Sequence, residues 1–358
     1  MKRPSAIGNR RGIALLITLA VTTVLVTTVL EMNRQARSSL STAAVMRDRT
    51  SLLLMAESGV QVAMAVLIHD KQTSRTDTIQ EDWANPLFLQ QAMEALSFED
   101  GKVELAIEDE MGKIQVNALV DPPGGHRFNT HQQQLWERFL GIMGPLLEMD
   151  ENFEATAVIN AVKDWIDAGD DDAITGLTGA ESDYYRELDP PYACRNAPLP
   201  YLPEMLKIKG VTPHLFFGTE QQPGIAAYLT VWGAAQPTDN TLTFNGKINI
   251  NTAALPVIAA MLPTENQDLA QAIFDYRQEI SDDQFANDIS APGWIKNVPG
   301  AAGLKIDPKI MTTASDVFRI ESKATARGRT LTVTTVVQRV QDTTSKKTTC
   351  RVLTWRID

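Results

Sequence analysis

The sequence predicts an α+β protein: a long N-terminal helix packed on an antiparallel sheet, with a large all-helical insertion between the strands. Three observations point there. No proline occurs between Pro4 and Pro86, and Gly59 is the only glycine from Ile13 to Asp70, so nothing in that stretch stops a helix. Runs with period two, rich in Val, Thr, Ile and Arg, close the chain. Between these ends, helical spacing dominates residues 125–312.

The long helix starts from Arg10-Arg11-Gly12 and an uncharged run from Ile13 to Leu30. As a helix that run is roughly 27 Å long, enough to cross a bilayer core. A cleaved secretory signal fits poorly, because the apolar core is long and Leu30-Glu31-Met32 offers no small-residue cleavage site. A plain single-pass anchor fits the composition. Past the membrane run, Val45, Leu52, Ala56, Gly59, Ala63 and Val66 recur on one helical face. One helix from Ile13 to Asp70 would be about 87 Å long. Its first part (13–30) spans the bilayer, and its second part (31–70) lays an apolar stripe on a folded domain. The alternative is two helices with a break near Arg37 to Ser41. Lys2, Arg3, Arg10 and Arg11 precede the run, while Arg34 and Arg37 follow it, so the N-terminus is expected inside.

Residues 71–124 supply the first strands. Val103 to Glu108 alternates in period two, Asp109 to Gly112 turns, and Lys113 to Ala118 reads as the returning strand. Asp121-Pro122-Pro123-Gly124-Gly125 marks a boundary. Helices are expected over Gln132–Leu147, Asn152–Asp167, Ala254–Met261 and Asn266–Glu279, with shorter ones near 201–207, 214–217 and 225–232. Gly246 to Thr252 echoes Gly112 to Ala118, which is too few copies for a repeat array. Residues 313–358 then form a three-stranded meander. Two strands before the helical block and three after it predict a single interrupted sheet.

The 358-residue chain has a formal net charge of −11. This argues against nucleic acid, which rewards basic patches. Ile250 to Ala253, Leu262-Pro263 and Ala272 to Arg277 resemble a helix-hairpin-helix. The hairpin Pro263-Thr264-Glu265-Asn266 has no glycine to present amides to a phosphate, so the likeness concerns packing. Cys194 and Cys350 are a candidate disulfide in an oxidising compartment; the alternative is two unrelated buried thiols. The four histidines (His69, His126, His131, His214) form no H-E-x-x-H pattern, and no G-x-S-x-G elbow or P-loop occurs. No enzyme is expected.

Asp164-Trp165-Ile166-Asp167-Ala168-Gly169-Asp170-Asp171-Asp172, continuing to Gly179-Ala180-Glu181-Ser182-Asp183-Tyr184-Tyr185, concentrates carboxylates. Such a set repels itself unless a hard cation is present, and Ca²⁺ takes six to eight oxygens in flexible geometry. The spacing is not that of an EF-hand. Read from the residues alone, a solvated acidic loop fits as well.

Basic residues, Gly12, then Ile13-Ala14-Leu15-Leu16 resemble the type IV prepilin leader. The resemblance implies that a prepilin peptidase cuts after Gly12, that Ile13 becomes the methylated N-terminus, and that residues 1–12 are lost. Loss of those four positive charges takes the formal charge to −15. Most pilins carry Glu as the fifth mature residue, which here is Ile17. A carboxylate there costs about 2.5–3.5 kcal/mol in the membrane unless a neighbour's amine pairs with it. A tip subunit has no such neighbour. Asp164 to Asp167, Gly179 to Tyr185, Pro190-Pro191-Tyr192 and Glu204 to Val211 resemble the helical insertion of K-type minor pseudopilins of the type II secretion system.

That resemblance implies a pilin-like α+β fold with a SAM-like or helix-hairpin-helix-like insertion, and a subunit at the pseudopilus tip that starts or caps assembly. It implies I-type and J-type minor pseudopilins, the major pseudopilin and the inner-membrane secretion platform as partners, and an inner-membrane location with the bulk periplasmic. It implies calcium in the 164–192 loop, with Asp167, Asp170, Glu181 and Asp183 as ligands and Asp171, Asp172 and Asp189 as second-rank candidates. The alternative function is a membrane-anchored periplasmic calcium-binding or substrate-binding module unrelated to pili.

Overall fold

The computed structural model describes residues 10–98, 100–121, 125–169, 174–235, 242–342 and 347–358. Helix α1 runs unbroken from Arg10 to Thr73, 64 residues or about 96 Å, so there is no break near Arg37. Side chains from Ile13 to Leu30 are exposed, and the helix is long and apolar enough to act as a single-pass membrane anchor. Its threonines suit that environment. Thr18, Thr22, Thr23, Thr27 and Thr28 each return their hydroxyl to a carbonyl one turn back, at 2.8–3.0 Å. No hydroxyl there needs water.

The second half of α1 buries Leu52, Met55, Ala56, Val60, Ala63 and Leu67. Val45, expected on this stripe, is exposed, and Leu67 rather than Val66 closes it. The stripe lies on a four-stranded antiparallel sheet ordered β1-β10-β11-β12, built from β1 (Gly101–Asp109), β10 (Val317–Ala326), β11 (Arg329–Gln341) and β12 (Thr348–Ile357). Phe318, Ile320, Ala324, Val333 and Val337 complete this core, with Trp83 and Met93 of α2 (Pro86–Glu94) and its approach. Gly59 is the point of closest approach: a Cβ there would stand 2.2 Å from Ser322 Oγ and 3.0 Å from Val103 Cγ1.

Among the described residues one body strand precedes the insertion, not two. The segment expected to return along β1 instead forms a short strand β2 (Ile114–Gln115) that pairs in parallel with β3 (Leu229–Thr230) inside the insertion. The reason is hydrophobic: Ile114, Val116 and Leu119 are fully buried in the insertion's own core. The head therefore begins near Gly112.

Residues between β1 and β10 form this head. Its helices are α3 (Thr130–Leu146), α4 (Ala155–Ile166), α5 (Ser182–Arg186), α6 (Pro213–Phe217), α7 (Leu255–Met261) and α8 (Leu269–Gln278). Small pairs β4 (Ala234–Ala235) with β5 (Thr243–Phe244), and β7 (Ile280–Ser281) with β8 (Gln284–Phe285), are antiparallel. β6 (Ile248–Asn249) pairs in parallel with β9 (Met311–Thr312). The two echoed sequences pack against each other. A Cβ on Gly112 would meet Thr252 Oγ1 at 2.8 Å, and one on Gly246 would meet Ala118 Cβ at 2.9 Å. Leu135, Trp136, Phe139, Leu140, Val162, Ile258 and Ile273 fill a core distinct from that of the body.

Candidate metal centre

Helix α4 carries Asp164 in its last turn, and Asp167, in extended conformation, caps its C-terminus. Both are buried: Asp164 is fully enclosed, and Asp167 is 4 % exposed. A loop then folds back over them. Asp164 Oδ2 accepts the amides of Thr175 at 3.1 Å and Ala180 at 2.9 Å. Gly179 makes the closure feasible, since a Cβ there would lie 2.0 Å from Asp164 Oδ2 and 2.8 Å from the Thr175 backbone. Gly176, with φ +61°, supplies the left-handed turn before it. Lys209 Nζ donates to the Thr178 and Gly179 carbonyls at 3.2 Å and pins the loop from outside.

The closure delivers Glu181, 5 % exposed, next to this pair. Asp164, Asp167 and Glu181 each present a carboxylate oxygen, and the three oxygens lie within 4.8 Å of one another. Lys163 donates to Asp167 and lies 3.6 Å from Asp164 Oδ1. All three carboxylates are buried. All-oxygen donors of this kind suit a hard cation, and calcium tolerates the irregular geometry such a loop provides.

Apolar packing fixes the frame. Trp165 meets Tyr185 edge-on at 4.9 Å, and Tyr185 stacks on Tyr192 at 5.4 Å. Trp165 Nε1 donates to Glu204 Oε1 at 3.3 Å, and Arg195 holds the same carboxylate at 3.1 Å. The Glu204 segment thus buttresses α4 from the side away from the acids.

Of the expected ligands, the structure brings Asp167 and Glu181 together. Asp170, Asp171 and Asp172 lie outside the described residues. Asp183 points to solvent, with 92 % of its side chain exposed, and pairs with Arg186 at 3.4 Å. Asp189 is also exposed. Asp164 stands in the sequence motif but not among the expected ligands, yet it is the most buried of the three acids. Its spacing to Asp167 is the signal that pointed to it.

No disulfide joins Cys194 and Cys350; both are free thiols. Cys194 belongs to the head core, where its Sγ lies 3.4 Å from the Asp164 carbonyl oxygen and burial pushes the thiol up to about 12. Cys350 packs on the body core, and burial pushes it up to about 11. Two different cores hold them apart. At the other end of the chain, Gly12 and Ile13 sit in the first turns of α1, with Ile13 exposed.

A family model described as "Type II secretion system (T2SS), protein K" matches residues 112–221, a segment containing all three clustered acids. Curated relatives include the type II secretion system protein K of Aeromonas hydrophila, 26 % identical over 70 % of this chain and 69 % of the relative. The Klebsiella pneumoniae protein of the same name is 25 % identical over 72 % of each chain. Among solved structures, the GspK-GspI-GspJ complex from enterotoxigenic Escherichia coli contains a chain of the same fold. It matches with TM-score 0.58 at 17 % identity, covering 88 % of this chain and 99 % of the other. Residues 112–221 are thus similar to the type II secretion system protein K family, and the similarity to its curated members extends over about 70 % of the chain.

Proposed function

We propose that this protein is a K-type minor pseudopilin that sits at the tip of a periplasmic pseudopilus and starts or caps its assembly. The observation that carries this reading is the head inserted between β1 and β10 of a sheet borne on one continuous, membrane-length helix. A subunit built this way stacks through its helix from below. Its wide head obstructs a further subunit above. Ile17 fits the same position, because no carboxylate there awaits an amine from a subunit ahead. The partners are I-type and J-type minor pseudopilins, as named in the complex that shares this fold, with the major pseudopilin and the secretion platform below. The anchor lies in the inner membrane with its N-terminus cytoplasmic, and a prepilin peptidase removes the leader after Gly12. The role is structural and includes no catalytic step.

In the same reading, Asp164, Asp167 and Glu181 hold calcium, which offsets their mutual repulsion and clamps the loop to α4. Co-expression of the full chain with I-type and J-type pseudopilins of its own secretion system is the test. Co-purification of the three, together with an unprocessed leader in Gly12→Ala, is expected. Wild-type protein recovered from its native membrane with residues 1–12 attached would overturn the assignment in favour of a plain anchored module.

A further inference from the structure

Head and body meet through polar side chains. Asp109, at the end of β1, is buried, and among the described residues no cation pairs with it. Its Oδ2 accepts from Asn249 Nδ2 at 2.9 Å, Thr252 Oγ1 at 2.7 Å and Ser315 Oγ at 2.5 Å; its Oδ1 accepts from the Met111 amide at 2.7 Å. Asn249 and Thr252 belong to the head, and Ser315 to the link between β9 and β10 that returns from it.

The donors can reverse. Thr252 Oγ1 has a second acceptor, the Asn249 carbonyl, at 3.2 Å, and Ser315 Oγ already accepts from Asn249 Nδ2 at 2.9 Å. A proton taken from solvent onto Asp109 Oδ2 is donated to one of these hydroxyls. Thr252 then turns its own proton to Asn249. The network stays complete in either protonation state.

Beside it, carboxylate oxygens of Asp70, Asp77 and Glu81 lie within 4.8 Å of one another. Arg339 is the guanidinium that faces them. It bonds Asp70 at 2.8 Å, and also Asp77 and the Ser315 carbonyl. Lys71 is engaged by Asp316 at 3.1 Å, and Glu108 and Glu110 by Lys113 and Arg319. His69 lines the same surface cavity as Asp70 and Glu81, of about 500 Å³. Asp77 ties the two modules together: its carboxylate accepts the Ser315 amide at 2.7 Å, and its carbonyl accepts from Asn249 at 2.9 Å. Burial, then the nearby Glu81 and Asp77 charges, pushes Asp70 up; burial pushes Asp109 up to about 6.

We propose that this joint is a proton-operated latch: Asp109 takes up a proton as the surrounding medium acidifies and holds the helical head more firmly on the sheet. Opening the joint takes Asn249 and Thr252 away from Asp109, hydrates it and returns it to its ordinary value of 3.8. The added hold is therefore full below that value, and it is lost as pH rises through the raised value.

Hydrogen exchange of the full chain in detergent micelles, with calcium in excess and corrected for intrinsic pH dependence, reads the opening. Segments 248–254 and 311–317 report the joint, and 331–337 is the reference. From pH 8 to pH 5.5, protection at the joint should rise about fourfold through Asp109, while the reference stays flat. Asp109→Asn should abolish the rise, and Asp70→Asn, whose partner Arg339 belongs to the sheet, should leave it in place. A flat wild-type profile, or an undiminished rise in Asp109→Asn, overturns the latch; if the variants do not fold, the wild-type profile decides.

Discussion

Asp164 shows how much one side chain organises. It accepts two loop amides while enclosed in the head, so its loss leaves Thr175 and Ala180 without their acceptor. An unsatisfied buried donor costs about 1–3 kcal/mol. Asp164→Ala should lower the melting temperature by several degrees even with calcium chelated, and should remove most of the calcium-dependent rise expected of the wild type. Asp183→Ala should leave both unchanged. Calorimetry with and without chelator separates the two variants. Glu110 makes a second case. It is fully buried, and although burial alone raises a carboxyl, Lys113 and Arg319 outweigh it and hold Glu110 below its ordinary 4.5. A depressed acid stabilises the fold above its unfolded value and ceases to as pH falls through the folded one. Glu110→Gln should cost about 1.5–3 kcal/mol at neutral pH and flatten the acid limb of the stability profile. The two thiols were legible as residues but not as partners, because pairing depends on distance in space and here two cores intervene.

Among the elements, α1 was read from local rules alone. Absence of proline, scarcity of glycine and an apolar stripe suffice, since helix hydrogen bonds close within four residues. Gly59 was visible as the lone glycine, but its purpose appears only when Ser322 and Val103 are seen against it. Gly59→Val should force the helix off the sheet and destabilise the body by about 1–3 kcal/mol, measurable by urea unfolding, with the head's calcium response intact. β2 departs from the expected pairing for a related reason. Ile114 to Leu119 is apolar at strand spacing, and spacing does not say which sheet a strand joins. Competition between the two cores decides it, and the head offers Ile114 full burial.

As a whole molecule, the protein has two apolar cores joined by a polar seam of Asp77, Asp109, Asn249, Asn251, Ser315 and Arg339. Because the two cores are separate clusters, calcium removal should loosen the head and spare the sheet. Hydrogen exchange after chelation should show faster exchange in 156–166 and 175–182 with 331–337 unchanged. Equal loss of protection in both would mean the modules unfold as one. In the proposed role, a stem that packs and a separately folded head that resists further addition are what a terminal subunit needs.

The amino-acid order by itself determined the membrane helix, the closing meander, the helical insertion and the acidic segment within it, because each is written in short-range spacing or in charge density. Tertiary structure alone decided which acids converge, where the head begins, and that the cysteines stay apart. Those outcomes depend on a loop closing over α4 at Gly179 and on two cores competing for the same apolar residues. Neither process leaves a local signature, since both are settled by residues that meet only after the chain has folded.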